Sequence, residues 1–181
     1  MRITGGTYCG RNVTCPKGVI RPAMDRMRES LFSILGNIAG LSFLDLFSGS
    51  GCVGIEAASR GASPIILVEK DYKKKPVILK NIDFVEEDIS LRMMSVEKYI
   101  KICDRKFDLI YLDPPFPMAN KIKLVKNVSE AGILEKEGQL VIHHPSEEKW
   151  PDTVGDFILT DRRVYGRSIL LFFKYPDTPC N

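Results

Sequence analysis

Phe43-Leu44-Asp45-Leu46-Phe47-Ser48-Gly49-Ser50-Gly51-Cys52-Val53-Gly54 is the stretch that decides the fold. Its first five residues read as a buried strand, Ser48 to Gly51 as a tight turn, and the run through Ile55, Glu56, Ala57 and Ala58 as a helix that ends at Gly61. Strand, glycine turn and helix open a βαβ unit, and Gly49-x-Gly51-x-x-Gly54 leaves the backbone bare where a ligand must approach closely. Pro64-Ile65-Ile66-Leu67-Val68-Glu69 is the next strand. It sets Glu69 about 20 residues beyond the glycines, where a carboxylate accepts from ribose hydroxyls. NAD and S-adenosylmethionine both satisfy that much, and a tight turn with a surface acid gives the same pattern with no ligand. Asp45 separates the two ligands. From within the strand, its carboxylate can organise the glycine loop and reach, directly or through water, a cationic amino group, which a methionine moiety has and a nicotinamide lacks.

The second informative stretch is Asp113-Pro114-Pro115-Phe116, directly after the apolar run Phe107–Leu112. Two prolines cannot continue a strand, so Asp113 is left at the carboxyl end of a buried strand, where open α/β sheets place their ligands. A planar exocyclic amine is a poor nucleophile because its lone pair is delocalised into the ring. A carboxylate (Asp113) and a carbonyl (Pro114) that accept both its N–H groups favour the pyramidal, reactive form. Neither Pro114 nor Pro115 brings a competing N–H, and Phe116 offers a face on which a base can stack. An aspartate opening a turn is the plain structural alternative. Together with Asp45, the glycines and Glu69, the motif favours a methyl donor upstream and an acceptor amine here.

Working outward, Asp25 is placed to cap a helix through Met27, Leu31, Phe32, Ile34 and Leu35 ahead of the first strand. After Glu69 the pattern predicts a Lys-rich helix over about 72–83, a short strand at Leu91–Met94, a helix through Val96, Tyr99 and Ile100, and the strand Phe107–Leu112. A helix closing near Gly132 and the strand Gly138–His143 come next. The order βαβαβαβαβ implies a parallel sheet covered on both faces. Phe157–Val164 and Ser168–Phe173, joined across Tyr165-Gly166-Arg167, end it with an antiparallel hairpin. The fold class expected is α/β: a Rossmann-like, class I S-adenosylmethionine-dependent methyltransferase with a seven-stranded, mostly parallel sheet. An NAD-dependent oxidoreductase on the same glycine loop is the rival.

With 181 residues and 44% hydrophobic content, the chain reads as one domain over residues 1–181. Five cysteines without Cys-x-x-Cys spacing argue for reduced thiols in a cytoplasmic setting. The only histidines, His143 and His144, are adjacent and point to opposite faces of a strand, so no metal site is expected. No apolar run approaches the ~20 residues of a membrane span. Net charge is +3, yet residues 1–30 alone hold six basic residues against two acidic ones. This Gly-rich arm, about residues 1–24, looks too poor in apolar residues to make a core and suits contact with nucleic acid, through Arg2, Arg11, Arg21 and Arg26.

Arg2-Ile3-Thr4-Gly5-Gly6, Gly10-Arg11, Arg21-Pro22-Ala23-Met24-Asp25-Arg26-Met27-Arg28-Glu29-Ser30-Leu31-Phe32, Leu44–Gly51, Asp113–Phe116 and Tyr165-Gly166 together resemble the bacterial RsmD-type 16S rRNA guanine-N2 methyltransferases. The amino-terminal block is the specific part, since Asp-Pro-Pro-Phe is shared with adenine-N6 enzymes, which stand as the alternative within the class. The resemblance implies S-adenosylmethionine as cofactor, held by Asp45, Phe47, Gly49, Ser50, Gly51, Glu69 and Ser95, and catalysis by Asp113, Pro114, Pro115 and Phe116. It also implies a guanine of 16S rRNA in an assembled or nearly assembled small subunit as substrate, and a leading segment folded against the cofactor that presents basic residues to RNA; a monomer is expected, though sequence does not fix the oligomeric state. Two departures stand out: Ala23 where the family usually has Thr, and Ser95 where related enzymes often carry Asp or Asn for the adenine amine.

Overall fold

Strands β1 (Phe43–Leu46), β2 (Ile65–Glu69) and β3 (Ile89–Met93) run parallel in the order β3-β2-β1, with Asp45 opposite Leu67 and Glu69 opposite Met93. Every residue of β1 and β2 is buried, as expected for parallel strands covered on both faces. The computed structural model describes residues 1–15 and 22–177, and the chain forms two compact units, Met1–Val96 and Glu97–Asn181. In the first unit these strands are joined through α2 (Cys52–Ser59), a 3-10 turn (Tyr72–Lys74) and α3 (Lys75–Ile82). The expected Lys-rich helix is therefore split in two. Pro76 explains the break, because it lacks an N–H and is accommodated in the first turn of α3.

Helix α1 (Pro22–Leu35) buries Met27, Leu31 and Phe32 and closes at Gly36, whose N–H donates to the Phe32 carbonyl at 3.1 Å. With Asp25 as cap it would begin at Arg26; it begins four residues earlier. Asp25 is not its cap but lies in the first turn, 3.1 Å from Arg28.

The amino-terminal arm corrects an expectation. Ile3, Tyr8 and Val13 are buried in the core of the first unit. Few apolar residues suffice because glycine turns fold the arm back on itself. Gly10 N donates to Ile3 O at 2.9 Å, Val13 N donates to Met1 O at 2.7 Å, and Arg2 and Asn12 form an antiparallel bridge. The polar backbone of the arm is satisfied by α2: Thr7 N donates to Ser59 O at 2.7 Å and Tyr8 N to Ser59 Oγ at 2.8 Å. Gly6 sits at φ 76°, and a Cβ there would lie 1.6 Å from the Ser59 carbonyl oxygen. Gly6→Ala is accordingly expected to undock the arm and lower stability by about 2–4 kcal/mol, a clash plus strain at positive φ. Limited proteolysis near residue 6 together with a denaturant midpoint would measure it.

In the second unit α4 (Val96–Ile102), which begins at the boundary, leads to β4 (Phe107–Leu112), α5 (Lys121–Ala131) and β5 (Leu134–Pro145). A short β6 (Thr153–Val154) follows, and then β7 (Phe157–Tyr165) and β8 (Ser168–Lys174). The strand order is β4-β5-β8-β7-β6, with β4 and β5 parallel and the remaining pairs antiparallel. The terminal hairpin is as expected. The two-residue β6 makes eight strands among the described residues; it is too short to show a period in sequence. Cys9, Cys15, Cys52 and Cys103 carry free thiols, and burial pushes the Cys52 thiol up to about 12. No helix among the described residues is long and apolar enough to cross a membrane.

Candidate active site

The glycine loop is built from β1 outward. Phe47, half-buried at φ 71°, turns the chain out of the strand, and Gly49 and Gly51 follow at φ 60° and 78°. Three left-handed residues in five coil the loop tightly, and the Gly51 N–H donates to Ser48 O at 2.7 Å. Gly54 is required for a different reason: a Cβ there would lie 2.2 Å from Leu67 Cδ2, so only a bare α-carbon lets α2 lie against β2.

Asp45 is 1% exposed, and its Oδ2 accepts from Gly54 N at 3.2 Å, tying the strand to the first turn of α2. Glu69, 6% exposed, braces the other side of the loop. Its Oε2 accepts from Gly49 N at 3.0 Å and from Lys74 Nζ at 3.1 Å, while Oε1 accepts from Asp71 N at 2.9 Å. Of the three donors, the Lys74 ammonium is the one on a long, flexible side chain. Ser50 is buried, and its carbonyl accepts from Asn81 Nδ2 at 2.9 Å. Asn81 also exchanges hydrogen bonds with the Thr14 backbone, N–H to Oδ1 at 3.0 Å and Nδ2 to the carbonyl at 2.8 Å, so one amide links the arm to the loop. Ser48 Oγ is buried without a hydrogen-bond partner among the described residues. Its orphaned hydroxyl and the bare, positive-φ loop fit a ligand that brings its own polar groups. Ser95 is half-buried between β3 and α4, at the position where serine caps a helix.

A second cluster stands in the other unit. Leu112 of β4 pairs with Ile142 of β5, so the next residues along, Asp113 and His143, lie side by side at the carboxyl ends of two parallel strands. His143 Nδ1 is 2.7 Å from Asp113 Oδ1. An ionised carboxylate only accepts, so Nδ1 carries the hydrogen. The side chain of Asp113 is 29% exposed against 5% for His143, so the histidine anchors the carboxylate from beneath. The ring of Phe116 meets the His143 imidazole edge to face, centroids 5.1 Å apart. Pro114 is buried, Pro115 exposed, and Met118 N donates to Pro115 O at 2.8 Å to close the turn. Among the described residues no backbone N–H donates to the Pro114 carbonyl. Lys121, 3% exposed, fixes the loop from below: its ammonium donates to the Phe116 and Met118 carbonyls, both at 2.8 Å, and to Glu148. His144 faces the other way and donates from Nδ1 to Pro145 O at 2.8 Å; burial lowers its pKa.

Of the four arginines expected at RNA, Arg2, Arg11 and Arg26 are exposed, and Arg21 lies outside the described residues. Arg11 is held in place, its guanidinium 4.5 Å from the centre of the Phe84 ring. Arg28, by contrast, is buried. Sequence offers His143 only as one of two adjacent histidines without a metal role, and gives no site role to Lys121 or Asn81; the pairing of two strand ends is what brings His143 to Asp113.

A glycine loop braced by Asp45 and Glu69, parallel strands and a terminal antiparallel hairpin define the class I methyltransferase fold. A solved Escherichia coli structure described as "Putative methyltransferase yhhF" superposes with a TM-score of 0.87 at 26% identity, over 97% of each chain. Residues 1–174 match the family model described as "Conserved hypothetical protein 95", and the chain belongs to that family. The "Putative rRNA methyltransferase YlbH" of Bacillus subtilis is 32% identical over 181 residues, covering 96% of this chain and 98% of its own. The "Ribosomal RNA small subunit methyltransferase D" of Escherichia coli K12 is 28% identical over 171 residues, covering 92% and 86%.

Proposed function

We propose that this protein transfers a methyl group from S-adenosylmethionine to the exocyclic N2 amine of a guanine in 16S rRNA of the small ribosomal subunit, working as one methyltransferase domain with a basic arm. The observation that carries the reading is the Asp113 carboxylate: one oxygen is fixed by His143, the side chain is partly open, and the Pro114 carbonyl beside it accepts from no backbone N–H among the described residues. The names of the family relatives supply the substrate class.

S-adenosylmethionine supplies the electrophilic methyl group on a sulfonium. Asp45 and the loop Phe47–Gly51 would hold its methionine part, Glu69 the ribose, and Ser95 the adenine. Asp113 and the Pro114 carbonyl accept the two amine hydrogens, and Phe116 stacks on the base. The amine nitrogen forms the new C–N bond as the S–CH3 bond breaks, and the surplus proton leaves through Asp113 to solvent. Direct transfer needs no covalent enzyme intermediate, and orienting the reactants contributes ~7–11 kcal/mol to such a reaction. Arg2, Arg11, Arg21 and Arg26 contact phosphates. The guanine must leave its stack, which costs a few kcal/mol and is easiest from a loop.

Labelled methyl transfer to small subunits that lack the modification, followed by mapping of the nucleotide, tests the whole reading. Label in a 16S guanine at N2 is expected. Label at an adenine N6 would instead establish the alternative that shares this amine chemistry, and no transfer to subunits would end the proposal.

A further inference from the structure

Directly beyond the Asp113–Phe116 loop lies a solvent-open cavity of about 590 Å³, lined from within residues 118–126 and 148–150. Four lysines and one glutamate line it, a local excess of three positive charges that equals the excess of the entire chain. Lys121 and Glu148 neutralise each other. That leaves Lys123, Lys126 and Lys149 exposed, and Lys126 meets only the exposed Glu130 at 3.6 Å. Among the described residues Lys123 and Lys149 form no ion pair. The wall behind these ammonium groups is apolar and aromatic. Ile122 is 40% exposed, and Trp150, the only tryptophan of the chain, is half-buried. The indole is held in place, 5.3 Å from the His144 ring and 6.1 Å from that of Phe173.

A planar, prepositioned aromatic face rimmed by unpaired cations matches a nucleotide in a single strand. The base stacks on the indole and its phosphates meet the ammonium groups, and neither contact depends on sequence. An apolar protein segment would leave the lysines unused. We infer that this cavity binds a nucleotide of the RNA strand flanking the methylated base. The inference rests on the proposed function and extends it, since the arginines of the arm belong to the other unit. Lys121 joins the cavity to the reactive loop: the same ammonium that lines the cavity holds the Phe116 and Met118 carbonyls. A nucleotide seated here therefore bears on the segment that presents Asp113.

Because Trp150 is the sole indole, fluorescence of the full chain excited at the red edge, where the six tyrosines do not absorb, reports on this cavity. A short single-stranded oligoribonucleotide is expected to quench it. Lys123→Ala/Lys149→Ala should weaken that binding about tenfold and flatten its salt slope by about 1.4, the share of two phosphate contacts on a single strand. The KM for small subunits should rise in the same variant while S-adenosylmethionine affinity, measured by calorimetry, stays put. Absent quenching, or an unchanged KM and salt slope, would overturn the inference, as would quenching by an acidic peptide in preference to RNA. Methyl transfer by the unaltered chain, run in parallel, separates the two levels: its failure removes the proposed function itself, whereas its success with indifferent lysine variants removes only the cavity.

Discussion

Asp113→Ala is expected to reduce methyl transfer to small subunits by about 10³-fold, within the range for loss of a positioned proton acceptor, and to leave S-adenosylmethionine affinity nearly unchanged. The carboxylate accepts an amine hydrogen and carries off the proton, and neither role belongs to the cofactor. His143 gives this prediction a second edge. Its Nδ1–H holds Asp113 Oδ1 at 2.7 Å, and its own ring is pinned against Phe116, so it fixes the direction in which the second carboxylate oxygen points. His143→Ala should lower kcat by about 10²-fold, the scale of a misplaced reacting group, with little change in KM. His143→Asn, whose amide can donate from nearly the position of Nδ1, should recover most of that loss, a rescue that a merely structural role would not show. If the histidine works only through the aspartate, the double variant Asp113→Ala/His143→Ala is no slower than Asp113→Ala alone. Near-normal turnover of Asp113→Ala on small subunits would refute the assigned role.

The sequence made the site legible where a residue type is forced by backbone geometry. Gly49 and Gly51 take positive φ, Gly54 has no room for a side chain, and the prolines after Asp113 end the strand, so each could be read from one local stretch. What escaped was everything set by long-range pairing. His143 is thirty residues from Asp113, and nothing near it in sequence tells a strand histidine that packs from one that anchors a carboxylate. Lys121 shares its helix with the exposed Lys123 and Lys126, and no local pattern marks it as the one buried by the loop it holds. Strand β5 begins at Leu134, four residues before the expected Gly138, because Glu135-Lys136-Glu137 carries no apolar alternation; these residues are exposed where the pairing with β4 shifts between Phe107 and Leu109. The arm failed for a related reason. Its three buried side chains are spaced for glycine turns, and neither helical nor strand periodicity detects such spacing.

Glu56→Ala is expected to be the most destabilising single change in the first unit, by about 3–5 kcal/mol, the usual result of removing one partner from a buried charge cluster. In sequence Glu56 is an ordinary helix residue. In the structure it is fully buried, since α2 is covered nearly all round, and its two oxygens accept from the Thr4 backbone at 2.8 Å, Thr4 Oγ1 at 2.7 Å, Arg28 Nε at 3.4 Å and Arg60 Nη2 at 3.0 Å. Arg28 is itself 3% exposed, pairs also with Asp25 at 3.1 Å and donates to the Arg2 carbonyl at 2.5 Å, so the Glu56 carboxylate fastens the arm both directly and through Arg28. Without it, the buried Arg28 guanidinium keeps, among the described residues, only the half-buried Asp25 carboxylate as a counter-charge, and the arm loses its anchor. Glu56→Gln keeps the shape and half of the acceptors and should lie between the two. Denaturant midpoints read the stability, and an unchanged m-value excludes a partly unfolded native state. The effect should also reach RNA: Arg2 and Arg11 are displayed by the docked arm, so at temperatures where Glu56→Ala remains folded, its salt dependence of subunit binding should flatten as it would on replacing those two arginines themselves. A variant that loses stability yet keeps the full salt slope would show that the arm binds RNA without being docked.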